Sequence, residues 1–305
     1  MSYDQAEGLR QLVESRHEKA RMMPVSRKPQ ERAQVSTARI IAVTSGKGGV
    51  GKSNFTLNFA LSLQEAGYRT LVFDADIGMG NIDVLLGATS GVSLMHVLRD
   101  GRSLQDIIQV GPRGMHYIPG GSGFQELLDM PSVHIEHFIQ EMEKWSEQYD
   151  VILFDTGAGL SKETMQFLTA ADETLVVTTP EPTSTADAYA LIKVVTAARP
   201  DHTFRLVINR ASDWKEGSQT AERLSSVAER FLHRPIPTLG ILYDDPHVMQ
   251  AVKKQIPFTI LYPQCIVAKQ LRELANAYMH GAGQTGQTGG VKHFLRKWLG
   301  KWSPK

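Results

Sequence analysis

Residues Ser45 to Ser53, Ser-Gly-Lys-Gly-Gly-Val-Gly-Lys-Ser, hold the groups that a polyphosphate needs at a spacing that lets them meet. Glycines at 46, 48, 49 and 51 let backbone N–H groups close on anionic oxygens where a side chain would intrude. Lys52 offers a cation to the outer phosphates, and the Ser53 hydroxyl a ligand to Mg²⁺. The spelling Gly46-x4-Gly51-Lys52-Ser53 carries this meaning only between a strand and a helix. Both flanks comply: Ile40-Ile41-Ala42-Val43-Thr44 is a β-branched apolar run, and Phe55 to Leu61 has a helical pattern. A helix start behind the glycines adds its dipole to the cradle. Lys47 is a second cation in the same loop, at a position that a generic phosphate loop leaves open.

Three more groups with usable chemistry stand at the ends of apolar runs. Thr70-Leu71-Val72-Phe73 ends in Asp74-Ala75-Asp76, followed by Ile77 to Asp83; on the residues alone the two acids also suit a strand-end turn. Val151-Ile152-Leu153-Phe154 ends in Asp155-Thr156-Gly157, where an acid beside the phosphate loop can hold Mg²⁺, directly or through water, and Gly157 lets an N–H approach the γ-phosphate. Phe204 to Ile208 ends in Asn209-Arg210; an asparagine amide can read the N6 and N7 edge of adenine bidentately, or simply close a turn. Leu239 to Tyr243 runs into Asp244. The histidines at 134, 137, 233 and 247 have no metal-ligand spacing beside other donors.

The elements that must position these groups alternate. Apolar runs at 40–44, 70–73, 115–118, 151–154, 174–179, 204–208 and 239–242 are separated by helical stretches, among them 122–130 and 132–148, without internal repeat. This is the pattern of a doubly wound α/β domain with a mostly parallel sheet, and its ligand belongs at the carboxyl ends of the strands. Lys47, Asp76, Asp155 and Asn209 all fall at such ends.

Composition narrows the class. The 305 residues are 42 % hydrophobic and contain no apolar run of membrane-spanning length, and the start of the chain lacks the apolar core of a secretory signal. A single cysteine, Cys265, excludes a disulfide framework, suits a reducing cytoplasm and argues against an iron–sulfur centre. The net charge of +1 hides an asymmetry: residues 1–39 carry eight Lys/Arg and five Asp/Glu, and residues 281–305 carry five Lys/Arg and no acid. The body between them, with 20 basic and 27 acidic side chains, is too acidic for a protein that coats DNA, and no sequence-specific nucleic-acid partner is expected.

The two ends look like attachment devices. Residues 4–20 read as a short helix with an Asp4-x-x-Glu7 capping box and a thin apolar face, Ala6, Leu9, Leu12 and Val13; such a helix is marginal alone, as a docking device or a frayed leader would be. A basic, proline-containing tether follows to residue 38. At the other end, residues 281–290 read as a glycine-rich linker with a random-coil span of roughly 17 Å. Beyond it Val291, Phe294, Leu295, Trp298, Leu299 and Trp302 share one helical face, with Lys292, His293, Arg296, Lys297 and Lys301 around the rest. An acid-free helix of this kind at residues 291–305 is expected to lie in an anionic membrane surface; packing on its own domain is the alternative.

The loop Lys47-Gly48-Gly49-Val50-Gly51-Lys52-Ser53 resembles the deviant phosphate loop of the MinD/ParA ATPases, and the resemblance spans roughly residues 39–280. It implies ATP or ADP with Mg²⁺ as cofactors, and a homodimer in the ATP state in which the signature lysine, Lys47, reaches the partner's nucleotide. It implies that Lys47, Lys52 and Asp76 are catalytic, with Asp76 positioning water or accepting its proton. The Mg²⁺ set is then Ser53, Asp76 and Asp155, and the nucleotide set Gly46 to Ser53, Asn54, Gly157, Asn209, Arg210 and Asp244. Ser53 stands where relatives often have threonine. Asp4-Gln5-Ala6-Glu7-Gly8-Leu9-Arg10 is similar to the motif that heads the FlhG (YlxH) regulators of flagellar number. For them the resemblance implies binding and stimulation of the signal-recognition-type GTPase FlhF through Asp4, Gln5, Ala6, Leu9 and Arg10, contacts with the flagellar switch ring (the C-ring), and a cytoplasmic protein peripheral on the inner face of the cell membrane when ATP-bound. A division-site MinD and a DNA-partitioning ATPase share the phosphate chemistry and are the alternatives.

Overall fold

A computed structural model describes residues 38–76, 80–88, 103–120, 132–281 and 290–299. The expected helix at 122–130, the leader and tether up to residue 37, and Trp302 lie outside the described residues.

Eight strands form one sheet in the order β3-β4-β2-β5-β1-β6-β7-β8. They are β1 (Arg39–Thr44), β2 (Thr70–Ala75), β3 (Gln109–Val110), β4 (His116–Ile118), β5 (Val151–Thr156), β6 (Glu173–Thr178), β7 (Thr203–Ala211) and β8 (Thr238–Tyr243). All neighbours are parallel except the edge pair β3–β4. The apolar runs read as strands are strands for a simple reason. A parallel strand covered on both faces is apolar throughout, and β2, β5 and β6 are buried at every position.

Alternate residues of each central strand feed two cores. Ile40, Ala42, Ile152 and Phe154 face one, while Ile41, Val43, Val151 and Leu153 face the other. On the second face lie α1 (Lys52–Glu65) and the long α9 (Ile266–Gly281), with the short α2 (Ile82–Leu86), α7 (Pro246–Lys253) and α8 (Phe258–Leu261) around them. The first face is covered by α3 (Ser132–Ser146), α4 (Lys162–Ala170), α5 (Pro182–Ala198) and α6 (Trp214–Leu232). The helix expected over 132–148 is α3, two residues shorter at its end.

The C-terminal helix α10 (Gly290–Leu299) packs on its own domain in this structure. Val291, Phe294, Leu295, Trp298 and Leu299 are buried in the first core, against α3, α4 and β1. Phe294 stacks on Phe154 at 4.6 Å between centroids, and Trp298 on Phe167 at 4.8 Å. The helix has the apolar stripe and basic reverse that its periodicity implies: Lys292, His293, Arg296 and Lys297 remain exposed, and Lys292 pairs with Glu143 at 2.9 Å. What periodicity leaves open is which apolar surface the stripe meets; here a groove between α3 and α4 removes it from water. Gly281 ends α9 and Gly290 starts α10, and the residues between them lie outside the described residues. Among the described residues no helix is long and apolar enough to cross a membrane.

Candidate functional site

The phosphate loop leaves β1 in the middle of the sheet and turns into α1. Its first glycine is fixed by packing: a Cβ on Gly46 would lie 2.3 Å from the Asp187 backbone carbon, because α5 passes directly over it. Gly49 and Gly51 have φ of +82° and +89°, a region that disfavours any side chain. At Gly48 and Gly49 a Cβ would meet nothing within 4 Å, so the mouth of the loop is open on the side a ligand would enter. Gly51 is also the N-cap of α1, which begins at Lys52 and carries no acid in its first turn. Its N–H groups are therefore left for an anion.

The two lysines of the loop part company. Lys52 is buried and its ammonium donates to Asp155 Oδ1 at 2.9 Å and to Ser53 Oγ at 3.3 Å. Thr56, one turn further along α1, donates its hydroxyl to the same Asp155 oxygen at 2.9 Å. The other oxygen, Oδ2, is buried with no partner. A buried carboxylate with one unpartnered oxygen, beside a lysine and a hydroxyl, would suit a divalent cation, whose charge would offset that of a phosphate. Lys47 turns the opposite way. Its ammonium donates to Glu181 Oε2 at 2.6 Å and to Thr183 Oγ1 at 3.0 Å, at the start of α5. The Lys47 hydrogen bond holds the Glu181 carboxyl below its ordinary range.

The two carboxylate segments meet beside this cradle. Asp74 and Asp155 are paired in register across β2 and β5. Asp76 Oδ1 lies 3.6 Å from the Cβ position of Gly157, which leaves the end of β5, and the Gly159 N–H donates to the Ser45 carbonyl at 2.9 Å. Asp74 is itself buried and accepts backbone N–H groups from Asp76, Asn81 and Ile82. Burial, helped by the neighbouring charge of Asp155, pushes its carboxyl up to about 7 against the opposing pull of those N–H groups.

On the other side of the loop Asn209 donates through Nδ2 to the Val50 carbonyl at 2.8 Å. One N–H of its amide thus clamps the phosphate loop, leaving the second N–H and Oδ1 for a base edge. Arg210, at φ +59°, sits beside Asp244 at 3.4 Å, so the three expected base-side residues are gathered at the ends of β7 and β8. Asn54 is used differently: its carbonyl groups, main-chain and side-chain, accept from Asn58 Nδ2 at 2.8 Å each, which ties its amide along α1. Sequence reading missed Thr56, Glu181 and Thr183. Thr56 carried a signal, a hydroxyl one helical turn after Lys52; Glu181 and Thr183 carried none, being more than 130 residues from Lys47.

A doubly wound sheet with a glycine cradle at its central strand, two lysines in that cradle and paired acids beside it defines a MinD-like phosphate-loop nucleotide-binding protein. Comparison with known proteins agrees. The family model described as an AAA domain matches residues 38–208. The antiactivator FleN of Pseudomonas aeruginosa is 39 % identical over 217 residues, 71 % of this chain and 78 % of that protein. The flagellum site-determining protein YlxH of Helicobacter pylori is 43 % identical over 192 residues, 63 % of this chain and 64 % of that protein. Among solved structures, the MinC:MinD cell division complex of Aquifex aeolicus superposes with a TM-score of 0.65 at 25 % identity, covering 80 % of this chain and 96 % of the other. MinD of Pyrococcus horikoshii, solved with Mg-ADP, has a TM-score of 0.65 at 24 % identity over 82 % of this chain and 99 % of its own, and so shares the fold. The chain belongs to the MinD/ParA family of ATPases, in the FleN/YlxH (FlhG) branch.

Proposed function

We propose that this chain is an ATP-driven dimerisation switch that sets flagellar number and placement. The observation that carries the reading is the divergence of the two loop lysines. Lys52 serves its own pocket through Asp155, whereas Lys47 points out of it to Glu181 and Thr183. A lysine on the rim of its own site is placed to enter a neighbour's. ATP binding displaces Lys52 from Asp155 toward the β- and γ-oxygens. The glycine N–H groups and the α1 terminus bind the phosphates, and Ser53 with Asp155 and Asp76 would hold Mg²⁺, whose charge screens the phosphate oxygens when bound. Lys47 of each subunit then leaves Glu181 for the partner's nucleotide, and Asp76 holds the attacking water and takes its proton. Asn209, Arg210 and Asp244 flank the base.

The ends supply the output. The docked α10 keeps its apolar face from water, and the membrane reading requires it to leave the α3–α4 groove, so that the protein alternates between cytoplasm and inner membrane surface. Two such helices in a dimer bind cooperatively because the second insertion is intramolecular. Asp4, Gln5, Ala6, Leu9 and Arg10 engage an FlhF-type GTPase, with the Gln5 amide orienting its attacking water, and the switch-ring proteins are the flagellar partners. Sedimentation velocity with MgATP against MgADP tests the core of the proposal. A dimer only with ATP is the expected result, and a monomer in both states sinks it. A Gln5→Ala chain that stimulates the GTPase as well as the unmodified one removes the N-terminal part alone.

A further inference from the structure

The ends of the segment that follows Asp76 converge on one buried side chain. Asp74, the last residue but one of β2, has 1 % of its surface exposed. Its Oδ1 accepts the Asp76 N–H at 3.3 Å, ahead of the segment, and its Oδ2 accepts the Asn81 and Ile82 N–H groups at 2.7 and 3.0 Å, after it. Ile82 is the first residue of α2, a helix of five residues that has no capping side chain of its own at Asn81. The chain is shaped to admit this carboxylate. A Cβ on Gly80 would stand 3.1 Å from Asp74 Oδ2, and one on Gly120, which follows β4, would stand 2.9 Å from Asp74 Cγ. Gly80 and Gly120 also touch each other, with Gly120 Cα 3.3 Å from the Gly80 Cβ position. Two glycines and three N–H donors, from Asp76 before the segment and from Asn81 and Ile82 after it, thus converge on one carboxylate.

We infer that Asp74 is a positioning residue of the hydrolytic site, a clip whose carboxylate ties the backbone of Asp76 to that of Asn81 and Ile82 and so fixes the Asp76 carboxylate beside Gly157. The inference rests on Asp76 being the hydrolytic carboxylate, as proposed above. It assigns a division of labour to the two acids of Asp74-Ala75-Asp76: the first meets only backbone, and the second meets the reacting water. The clip spans the join between β2 and α2, so it holds Asp76 without touching nucleotide. Its loss therefore acts on turnover and leaves nucleotide affinity in place.

The test compares Asp74→Asn with Gly120→Ala, which crowds the same carboxylate from outside, in steady-state MgATP hydrolysis by the full chain. Both variants are expected to lower kcat by ~10- to 100-fold, the loss typical of a misplaced catalytic group, while KM for MgATP stays within about threefold. Unchanged kcat in a folded Asp74→Asn chain overturns the inference, and so does a parallel loss of nucleotide affinity. In the unmodified chain, hydrogen exchange reads the clip directly: slow exchange at Asn81 and Ile82 is expected despite the shortness of α2, and unprotected amides there overturn it whatever the variants do. An unmodified chain that never hydrolyses ATP counts against the proposed function, while the exchange result still decides the clip.

Discussion

The docking of α10 is close to balance, and Phe167→Ala should tip it. Burying Val291, Phe294, Leu295, Trp298 and Leu299 contributes roughly 10 kcal/mol at ~2 kcal/mol each. Fixing the ten residues of the helix costs roughly as much, at ~1 kcal/mol apiece. Phe167 lies on the groove side, in α4, so its removal spares the apolar face that a membrane would meet. Its ring contacts to Phe294 and Trp298 exist only when α10 is docked, whereas its contact with Phe154 persists. Truncating a buried phenylalanine costs ~3–5 kcal/mol. If about half of that falls on the docked state, near 2 kcal/mol, the undocked population rises ~30-fold. The assay is co-sedimentation with vesicles containing phosphatidylglycerol, without nucleotide. The unmodified chain should stay in the supernatant and Phe167→Ala should move to the pellet, returning to the supernatant when residues 291–305 are also removed. A folded Phe167→Ala chain that ignores vesicles as the unmodified one does would refute the idea that this groove competes with the membrane for the helix.

Three further outcomes follow from single contacts. Gly46→Ala should abolish nucleotide binding in a filter assay, because its methyl group would stand 2.3 Å from the α5 backbone and either the loop or the helix must give way. Glu181→Gln releases Lys47 from an exposed pair and should lower the ATP concentration for half-dimerisation by ~1.4- to 5-fold, read by sedimentation equilibrium. His202 is fully buried, bonded through Nε2 to Thr174 Oγ1 with Nδ1 unpartnered, and burial pushes its ring down to about 3. The unfolded chain therefore binds the extra proton first, and stability present above pH 6.5 should be lost as pH falls toward 3, at up to ~1.4 kcal/mol per pH unit. Urea titrations at pH 7 and pH 5 should show this loss, and His202→Leu should flatten it.

The phosphate loop, its flanking elements and both acidic strand ends were legible because each is a local pattern whose chemistry dictates the backbone around it. Glycines at fixed offsets mean close approach, and an all-apolar run ending in an acid means a central strand emptying into a site. What stayed hidden depends on contacts between distant residues. Lys47 and Glu181 meet only because α5 returns over the loop, and Asn209 reaches the Val50 carbonyl from the far end of β7. The same limit explains α10. Its periodicity states that one face is apolar, but whether water, lipid or the domain's own α3 and α4 covers that face is decided by a groove assembled from other parts of the chain. Asp74 was legible as an acid and illegible as a clip, since the N–H groups that define its role lie two to eight residues downstream.

The central claim, that each subunit lends Lys47 to its partner's nucleotide, is tested most directly by mixing two inactive chains. Lys47→Ala keeps an intact pocket but has no lysine to lend, and Asp76→Ala lends its lysine but cannot hydrolyse. Together they form mixed dimers with one complete site, so ATP turnover should appear on mixing and be greatest near equal proportions. Turnover no greater than the sum of the separate chains, in a mixture shown by sedimentation to contain dimers, would contradict the account.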